Sequence, residues 1–340
     1  MENKPTIICI TPMKNEDWIL RRFLGATSLW ADHIILYDQN SSDQSPTIAK
    51  EFNKVHYHLN PSVEFNDHNH WAGLLDEARK LPGERKVIFS LDCDEFFSGN
   101  SFSTAEWQSF IQAKPGSLMV VERVLVSGDL QKFKFEMDCL LGFVDDGYST
   151  IGMLTEKKHV HNIRLPYPQG NPVVYKMNRI KLLHYNLVDM DRLRSKNRWY
   201  QCFELTIKDK SELVILDQYY FDKREMMSFQ HAIPSIEDWF GFYEKAGIDM
   251  TSQQRRSIFY WWDKKILEEY FPKYGMAFFA RLHIWDIDWE RAAAHFQIPL
   301  EQKVNSRSVL DKLYLQVFLQ SKKNKYTLVR RLCKMILNLL

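Results

Sequence analysis

The sequence is poor in cysteine, and this scarcity bears on two kinds of stabilising chemistry. The five cysteines, at positions 9, 93, 139, 202 and 333, are scattered, odd in number and without a Cys-X-X-Cys pair. Disulfide frameworks and cysteine-rich zinc sites both need closely spaced or evenly numbered cysteines. We therefore expect neither in this chain.

Long apolar runs and an excess of charge of one sign are also missing. No apolar run reaches the roughly 18 to 20 residues that span a bilayer, and Met1–Pro5 is not a basic segment leading into an apolar one. Lys and Arg number 45 against 43 Asp and Glu, a net charge of +2, which argues against nucleic acid as a partner. We expect a cytoplasmic protein in a reducing compartment.

The first hundred residues alternate short apolar runs with helical segments. The apolar runs predict strands buried on both faces, and they are Thr6–Ile10, His33–Tyr37, Val55–Leu59 and Val87–Leu91. Between them the pattern predicts a helix with its N-cap at Asn15 and further helices over about 46–53 and 69–80. This alternation predicts an α/β fold, a parallel sheet with helices on its faces.

Beyond residue 100 the alternation loosens. Strands are predicted over 118–122, 173–175 and 180–185, with an irregular stretch rich in Gly, Asp, His and Pro over about 142–172. From about 188 the pattern is mostly helical, including 235–247, 252–271 and 308–320. We therefore expect a catalytic α/β domain over 1–205 and a mainly helical region over 206–340.

The end of the chain has no acidic residue after Asp311 but seven basic ones. Leucine, isoleucine and methionine alternate with these basic residues over 322–340. A basic amphipathic segment of this kind can lie on an anionic membrane surface, at the inner face of the membrane. It can equally be a terminal helix that docks on its own domain or on a partner.

Two carboxylates follow the fourth predicted strand, in the run Leu91-Asp92-Cys93-Asp94-Glu95-Phe96-Phe97. Asp92 and Asp94 can converge on one hard cation, because oxygen ligands suit Mn²⁺ or Mg²⁺ when the phosphates of a substrate complete the shell. Ligands of open α/β sheets sit at the carboxyl ends of the strands, which is where this pair falls. The alternative is a turn in which Asp caps backbone amides.

Three motifs at successive strand ends together resemble a known family. They are Met13-Lys14-Asn15-Glu16-Asp17, Tyr37-Asp38-Gln39-Asn40-Ser41-Ser42-Asp43 and Leu91-Asp92-Cys93-Asp94-Glu95-Phe96-Phe97. In this order they resemble the family 2-type glycosyltransferases of the GT-A fold, in the subgroup with NE, DxNxSxD and DxDEF motifs. The resemblance implies a Rossmann-like, mixed but mostly parallel sheet flanked by helices, followed by a helical C-terminal extension.

The resemblance also implies roles for individual residues. The nucleotide-sugar pocket would be lined by Thr11, Pro12, Asn15, Glu16 and Asp38. Asp92 and Asp94 would bind Mn²⁺ or Mg²⁺ at the donor diphosphate, and His184, at the end of a predicted strand, resembles the further metal ligand of many such enzymes. Gln44 stands where the family usually has Gly, so the turn after the second motif differs.

The catalytic base and the cations that face the diphosphate are predicted from position alone. An inverting transfer needs a group that takes a proton from the acceptor hydroxyl. Asp145, Asp146 and Glu156 lie between Asp94 and His184, and Asp146 is narrowly preferred. Lys158, beside Lys157 and two histidines, could neutralise the departing diphosphate, or it could belong to a solvated loop face.

The combined prediction is a metal-dependent glycosyltransferase that moves a sugar from a nucleoside-diphosphate sugar to a hydroxyl. The acceptor would be a glycan, a lipid-linked glycan or a protein, in glycan or polysaccharide synthesis, and oligomeric state stays open. One alternative is a non-catalytic binding or scaffold protein of the same fold. Another is an Asp-based phosphotransferase, but such enzymes place Asp-x-Asp after the first strand, whereas here it follows the fourth.

Overall fold

The fold is described from a computed structural model, and the chain divides into two compact units. One unit comprises Met1–Val188 and Phe229–Gln254, and the other comprises Asp189–Ser228 and Arg255–Leu340. The structure describes residues 4–60, 67–152, 164–207, 210–220, 231–233, 236–252, 257–300, 307–323, 331–333 and 335–337.

The first unit contains a mixed sheet. Its described strands are β1 Thr6–Met13, β2 His33–Asp38, β3 Val55–Leu59, β4 Lys86–Ser90, β5 Glu95–Phe97, β6 Leu118–Val126, β7 Lys132–Val144, β8 Val174–His184 and β9 His231–Ala232. They are ordered β3-β2-β1-β4-β7-β6-β8-β5, with β9 paired to β7. Strands β1 to β4 are parallel, whereas β7 runs antiparallel to β4.

The described helices of the first unit lie on both faces of its sheet, and helices account for most of the described residues of the second unit. In the first unit they are α1 Leu20–Ser28, α2 Ser45–Ala49, α3 Asp67–Lys80, α4 Ala105–Ile111, α7 Ile236–Trp239 and α8 Gly241–Glu244. In the second they are α5 Met190–Ile207, α6 Glu212–Tyr219, α9 Trp261–Lys265, α10 Phe271–Tyr274, α11 Trp289–Phe296 and α12 Val309–Lys323. A π-helical turn over Ile266–Tyr270 joins α9 to α10.

The apolar pattern of the strands explains why helices cover both faces. Side chains alternate between the faces of a strand, and in β1 both sets are buried, Cys9 on one side and Ile8 and Ile10 on the other. Cys9 belongs to the core built with α1 and α4, and Ile8 belongs to the core built with α3. The predicted α/β class, with a sheet flanked by helices and a helical C-terminal region, is confirmed.

Several predicted element boundaries are wrong. Asn15 does not cap α1, which begins at Leu20; its φ of 54° lies in the left-handed region, which asparagine tolerates better than most residues. The strands predicted over 173–175 and 180–185 are parts of one strand, β8, which spans Val174–His184, and the stretch predicted to be irregular from 142 begins with the end of β7.

Three described strands, β5, β7 and β9, and interruptions in two predicted helices were not predicted. β5 follows the Asp92–Asp94 turn directly, and β7 carries a polar, exposed first half that hides its strand pattern. The helix predicted over 235–247 is broken between α7 and α8, and residues 257–260 of the helix predicted over 252–271 are not helical.

The second unit has a buried charge cluster of its own. Arg198 on α5 donates to Asp263 at 2.8 Å and to Asp286 at 3.1 Å, and Arg198 and Asp263 are both almost inaccessible. A buried arginine needs such partners because an unpaired charge in the interior is costly. The contacts tie α5 to α9 and to the segment before α11.

Candidate metal and nucleotide site

The two predicted metal ligands lie on a tight turn at the carboxyl end of β4. The Leu91 amide donates to the Ile10 carbonyl within β1, and the Glu95 amide donates to the Asp92 carbonyl at 3.0 Å. Asp92 is partly exposed and Asp94 is buried. Cys93 between them is buried, and burial raises the pKa of its thiol well above the ordinary value, so a thiolate ligand is disfavoured here.

The structure brings His184 to Asp94. Glu95 on β5 is paired with His184 on β8, and the Tyr185 amide donates to the Asp94 carbonyl at 2.8 Å. The Nε2 atom of His184 lies 3.9 Å from Oδ2 of Asp94, while its Nδ1 atom lies 3.2 Å from Oε2 of Glu136. The imidazole is therefore oriented from one side by a carboxylate and turns its other nitrogen to Asp94.

This donor set fits a divalent cation. Atoms that each lie about 2.1 Å from one ion can be up to about 4 Å apart, so the separation of His184 and Asp94 is compatible with shared ligation. A carboxylate on the second imidazole nitrogen is the usual support for a metal-bound histidine. Among the described residues no group of three or more His, Cys, Asp or Glu side chains could hold a metal ion by itself, so phosphate oxygens would have to complete the shell.

Glu95 is the buried centre of the charge network around this turn. It is inaccessible to solvent, and its carboxylate accepts from Arg164 at 2.6 Å, from Arg123 at 3.1 Å and from the Asp92 amide at 3.0 Å. Burial alone would raise the pKa of Glu95, but the charges of Arg164, His184 and Arg123 outweigh burial and lower the pKa to about 2. Glu95 is thus an ionised support for the turn near neutral pH.

Two arginines connect the network to its surroundings. Arg123 on β6 also contacts Glu136 at 2.8 Å, and Glu136 is the residue that orients His184. Arg164 donates to Asp92 Oδ2 at 2.5 Å and lies 5.5 Å from the ring centre of Trp71. Asp92, Glu95 and Glu136 are therefore each in contact with at least one guanidinium group.

The first two motifs interlock with each other. The loop after β1 and the loop after β2 are joined by backbone-to-side-chain hydrogen bonds, in which each loop supplies donors and acceptors. The bonds run from Asn15 N to Ser41 Oγ at 2.8 Å, Ser42 N to Asn15 Oδ1 at 2.7 Å, Glu16 N to Ser45 Oγ at 2.9 Å and Asp17 N to Asp43 Oδ2 at 3.1 Å. In this structure the motif residues shape the two loops.

Asp38 is fully engaged by the protein. One carboxylate oxygen accepts from the Ser41 amide at 2.9 Å and the Ser41 hydroxyl at 2.6 Å, and the other accepts from the Tyr57 hydroxyl at 2.6 Å. The pKa of Tyr57 is raised, mainly because its hydroxyl is desolvated and in addition because it donates a hydrogen bond to Asp38. Thr11 is also inaccessible, Pro12 and Glu16 are partly buried, and the Glu16 carboxylate accepts from the Trp18 indole at 2.6 Å.

Asp145 and Asp146 lie at the opposite end of the strands, beside the first residues of β4. Because β7 is antiparallel to β4, its last residues meet the beginning of β4, and the Asp145 amide donates to the Lys86 carbonyl. Six residues of extended chain, about 20 Å, separate Lys86 from Asp92. Asp145 pairs with Arg79 at 2.8 Å, and Asp146 accepts from Ser149, so the structure does not bring either acid to Asp92 and Asp94.

Two predicted residues, Glu156 and Lys158, lie outside the described residues. Three others were not predicted: Arg123, Glu136 and Arg164. Glu122 and Arg123 interrupt an otherwise apolar strand, Leu118–Val126, and charges inside such a run are a sequence signal for a buried ion pair. Arg164 stands in the irregular stretch and carries no such signal.

The comparisons with known proteins add a partial likeness. No protein-family model and no curated protein matches the chain. Among solved structures, it is similar to glucosyl-3-phosphoglycerate synthase from Mycobacterium tuberculosis in complex with phosphoglyceric acid, at 18% identity over 36% of this chain and 44% of that one, with a TM-score of 0.26. It is also similar to S. aureus TarS 1-349, at 14% identity over 36% and 35% of the chains, with a TM-score of 0.26.

These likenesses span less than half of each solved chain. TM-scores this low do not establish a shared fold by themselves, so the assignment that follows rests on this chain's residues. No helix among the described residues is long and apolar enough to cross a membrane.

Proposed function

We propose that this protein is a metal-dependent glycosyltransferase that uses a nucleoside-diphosphate sugar. The observation that carries the proposal is the approach of His184 Nε2 to within 3.9 Å of Asp94 Oδ2 on the turn that follows β4, with Glu136 on the far nitrogen of the imidazole. Asp92 lies two residues before Asp94 on the same turn. Carboxylates and one imidazole with too few protein ligands to complete a shell are suited to Mn²⁺ or Mg²⁺ carried with a diphosphate.

In this proposal Asp92, Asp94 and His184 would contribute ligands to a cation whose shell the donor diphosphate completes, and Glu136 fixes the imidazole. The bound ion would stabilise negative charge on the departing nucleoside diphosphate. Glu95 keeps the turn in place through the Asp92 amide, so that the two aspartates are held in position before the substrate arrives. The loops after β1 and β2 would form the wall for the nucleoside.

We propose that the sugar acceptor is a hydroxyl group on a glycan, a lipid-linked glycan or a protein. The reaction would belong to glycan or polysaccharide synthesis. An inverting transfer requires a base near the attacked carbon. Since Asp145 and Asp146 lie at the opposite end of the strands, we assign the base to Glu156 and the cation facing the diphosphate to Lys158. We further propose a cytoplasmic location.

The test is turnover of a nucleotide-sugar panel with Mn²⁺, measured as free nucleotide released. We expect Asp94→Asn to reduce turnover at least about a hundredfold, because the charge that balances the cation is lost, and Glu156→Gln to reduce turnover while Mn²⁺-dependent nucleotide binding persists. Asp145→Asn is the matched control and should keep turnover close to wild type. Full activity of Asp94→Asn would refute the metal assignment, and no metal-dependent nucleotide binding at all would refute the function.

A further inference from the structure

Arg164 bridges a proposed metal ligand and a buried carboxylate. Its Nη2 atom contacts Asp92 Oδ2 at 2.5 Å, and its Nη1 atom contacts Glu95 Oε2 at 2.6 Å. The guanidinium side chain is 21% exposed and lies beside the buried Trp71 ring. It therefore occupies one oxygen of the Asp92 carboxylate, Oδ2.

A divalent ion on Asp92 and this guanidinium would share the negative charge of one carboxylate. Two positive groups on one carboxylate repel each other strongly, because a partly buried site screens charge poorly. A cation bound through the other Asp92 oxygen would lie close to the guanidinium, and movement of Arg164 away from Asp92 would relieve this repulsion. Metal binding to the nucleotide-free protein must therefore work against an ion pair that is already formed.

Arg164 has a second anchor that makes its departure from Asp92 feasible. Glu95 is inaccessible and also holds Arg123 and the Asp92 amide, so its position does not depend on Arg164 alone. A rotation that breaks the Asp92 contact can leave the Glu95 contact intact. The oxygens of a diphosphate would then offer the freed N–H groups a new anionic partner.

We propose that Arg164 is an internal cation that holds Asp92 until a diphosphate draws it away, and that it thereby couples metal binding to nucleotide binding. The proposal rests on the function proposed above and concerns the order in which its ligands bind. Positive coupling follows because each ligand removes part of the obstacle to the other. Arg164 acts here through Asp92, as a positioning residue.

The test is the affinity of the metal-stripped protein for Mn²⁺ alone, measured from the electron paramagnetic resonance signal of free Mn²⁺. We expect Arg164→Gln to bind Mn²⁺ at least about tenfold more tightly than wild type, because one competing charge is gone. Arg21→Gln, which removes a guanidinium from an exposed pair with Glu51, is the matched control and should leave the affinity unchanged. A merely structural role for Arg164 predicts the opposite sign, since a disordered site binds metal more weakly.

The same titration with UDP, ADP or GDP present separates this inference from the function on which it rests. We expect nucleotide to raise the Mn²⁺ affinity of wild type more than that of Arg164→Gln. If Arg164→Gln binds Mn²⁺ no more tightly than wild type, while nucleotide still promotes metal binding, only the role of Arg164 is refuted. If neither protein binds Mn²⁺ under any of these conditions, the proposed function itself fails.

A measurement on the wild-type chain covers the case in which Arg164→Gln does not fold. Phenylglyoxal modifies accessible guanidinium groups, and peptide mass spectrometry reports each arginine separately. We expect saturating Mn²⁺ alone to increase modification of Arg164, with the exposed Arg21 as the internal reference. Unchanged modification of Arg164 at saturating Mn²⁺ would overturn the proposal.

Discussion

At the scale of the residue, Glu95 shows how a buried charge can be a fixed part of a site. It is inaccessible, yet its pKa is lowered to about 2. A group whose pKa is lower in the folded chain than in the unfolded one stabilises the fold above the unfolded pKa, and this stabilisation is lost as the pH falls through the folded pKa. Ionised Glu95 should therefore contribute fully near neutral pH.

We predict that Glu95→Gln lowers the free energy of unfolding by about 3 kcal/mol at pH 7, because Arg123 and Arg164 lose the charge they face. The difference from wild type should persist down to about pH 4.5 and shrink between there and pH 2. Urea denaturation of both proteins at pH 7, 5 and 3 measures this difference in the free energy of unfolding. A chelator is present so that metal binding does not contribute. Glu51→Gln, at an exposed pair with Arg21, should change little, and a pH-independent difference for Glu95→Gln would contradict the assignment.

At the same scale, the sequence pointed to Asp92 and Asp94 more readily than to the arginines that contact their turn. Asp92 and Asp94 were recognisable because they follow an apolar strand within a short motif. Arg164 lies 72 residues from Asp92, and nothing local to Arg164 specifies that pairing. Arg123 could have been noticed as a charge inside an apolar strand.

At the scale of the element, the loops after β1 and β2 form one unit. Hydrogen bonds between them use the asparagine and serines of the motifs, and Asn15 takes a left-handed backbone conformation to make them. Such a conformation is strained for an L-residue other than glycine, and asparagine tolerates it through local hydrogen bonding. This explains why Asn15 begins a loop that the sequence pattern assigned to a helix cap.

We predict that Asn15→Ala is less stable than Asn15→Gly by roughly 1 kcal/mol, because only alanine adds the strain of a Cβ at positive φ. Chemical denaturation of both variants measures the difference. Asn197, inside helix α5, is the matched control and should show the reverse order, since alanine favours a helix interior over glycine. Equal stability of the two Asn15 variants would show that the backbone there is not strained.

At the scale of the whole molecule, the end of the chain divides its residues between two environments. Leu337 is buried in a cluster with Leu216, Tyr314 and Phe318 of the second unit, whereas Leu332 is 56% exposed and Met335 is 63% exposed. Residues 324–330, 334 and 338–340 of the predicted tail lie outside the described residues. The contacts of Leu337 indicate that this part of the chain end packs on the second unit. Because Leu332 and Met335 are exposed, membrane contact through these two side chains stays a prediction.

We predict that the double variant Leu332→Ser, Met335→Ser reduces co-sedimentation with phosphatidylserine vesicles, because it removes apolar area beside basic residues. Its unfolding curve should match that of wild type. Leu337→Ala should leave vesicle binding unchanged. It should lower the free energy of unfolding of the second unit by about 2 kcal/mol through loss of core packing. Vesicle binding that is equal in the double variant and wild type would refute membrane contact at these side chains.

The sequence by itself determined the strands β1 to β4, the helices between them and the placement of Asp92 and Asp94 beyond β4. These features depend on local periodicity and on the chemistry of neighbouring residues, and both can be read directly from a short segment of sequence. Only the tertiary structure decided which distant groups meet there. The antiparallel course of β7 carries Asp145 and Asp146 to the opposite end of the strands, and the pairing of β5 with β8 brings His184 to Asp94. Strand direction and order arise from packing across the whole sheet, so a linear pattern of residues does not contain them.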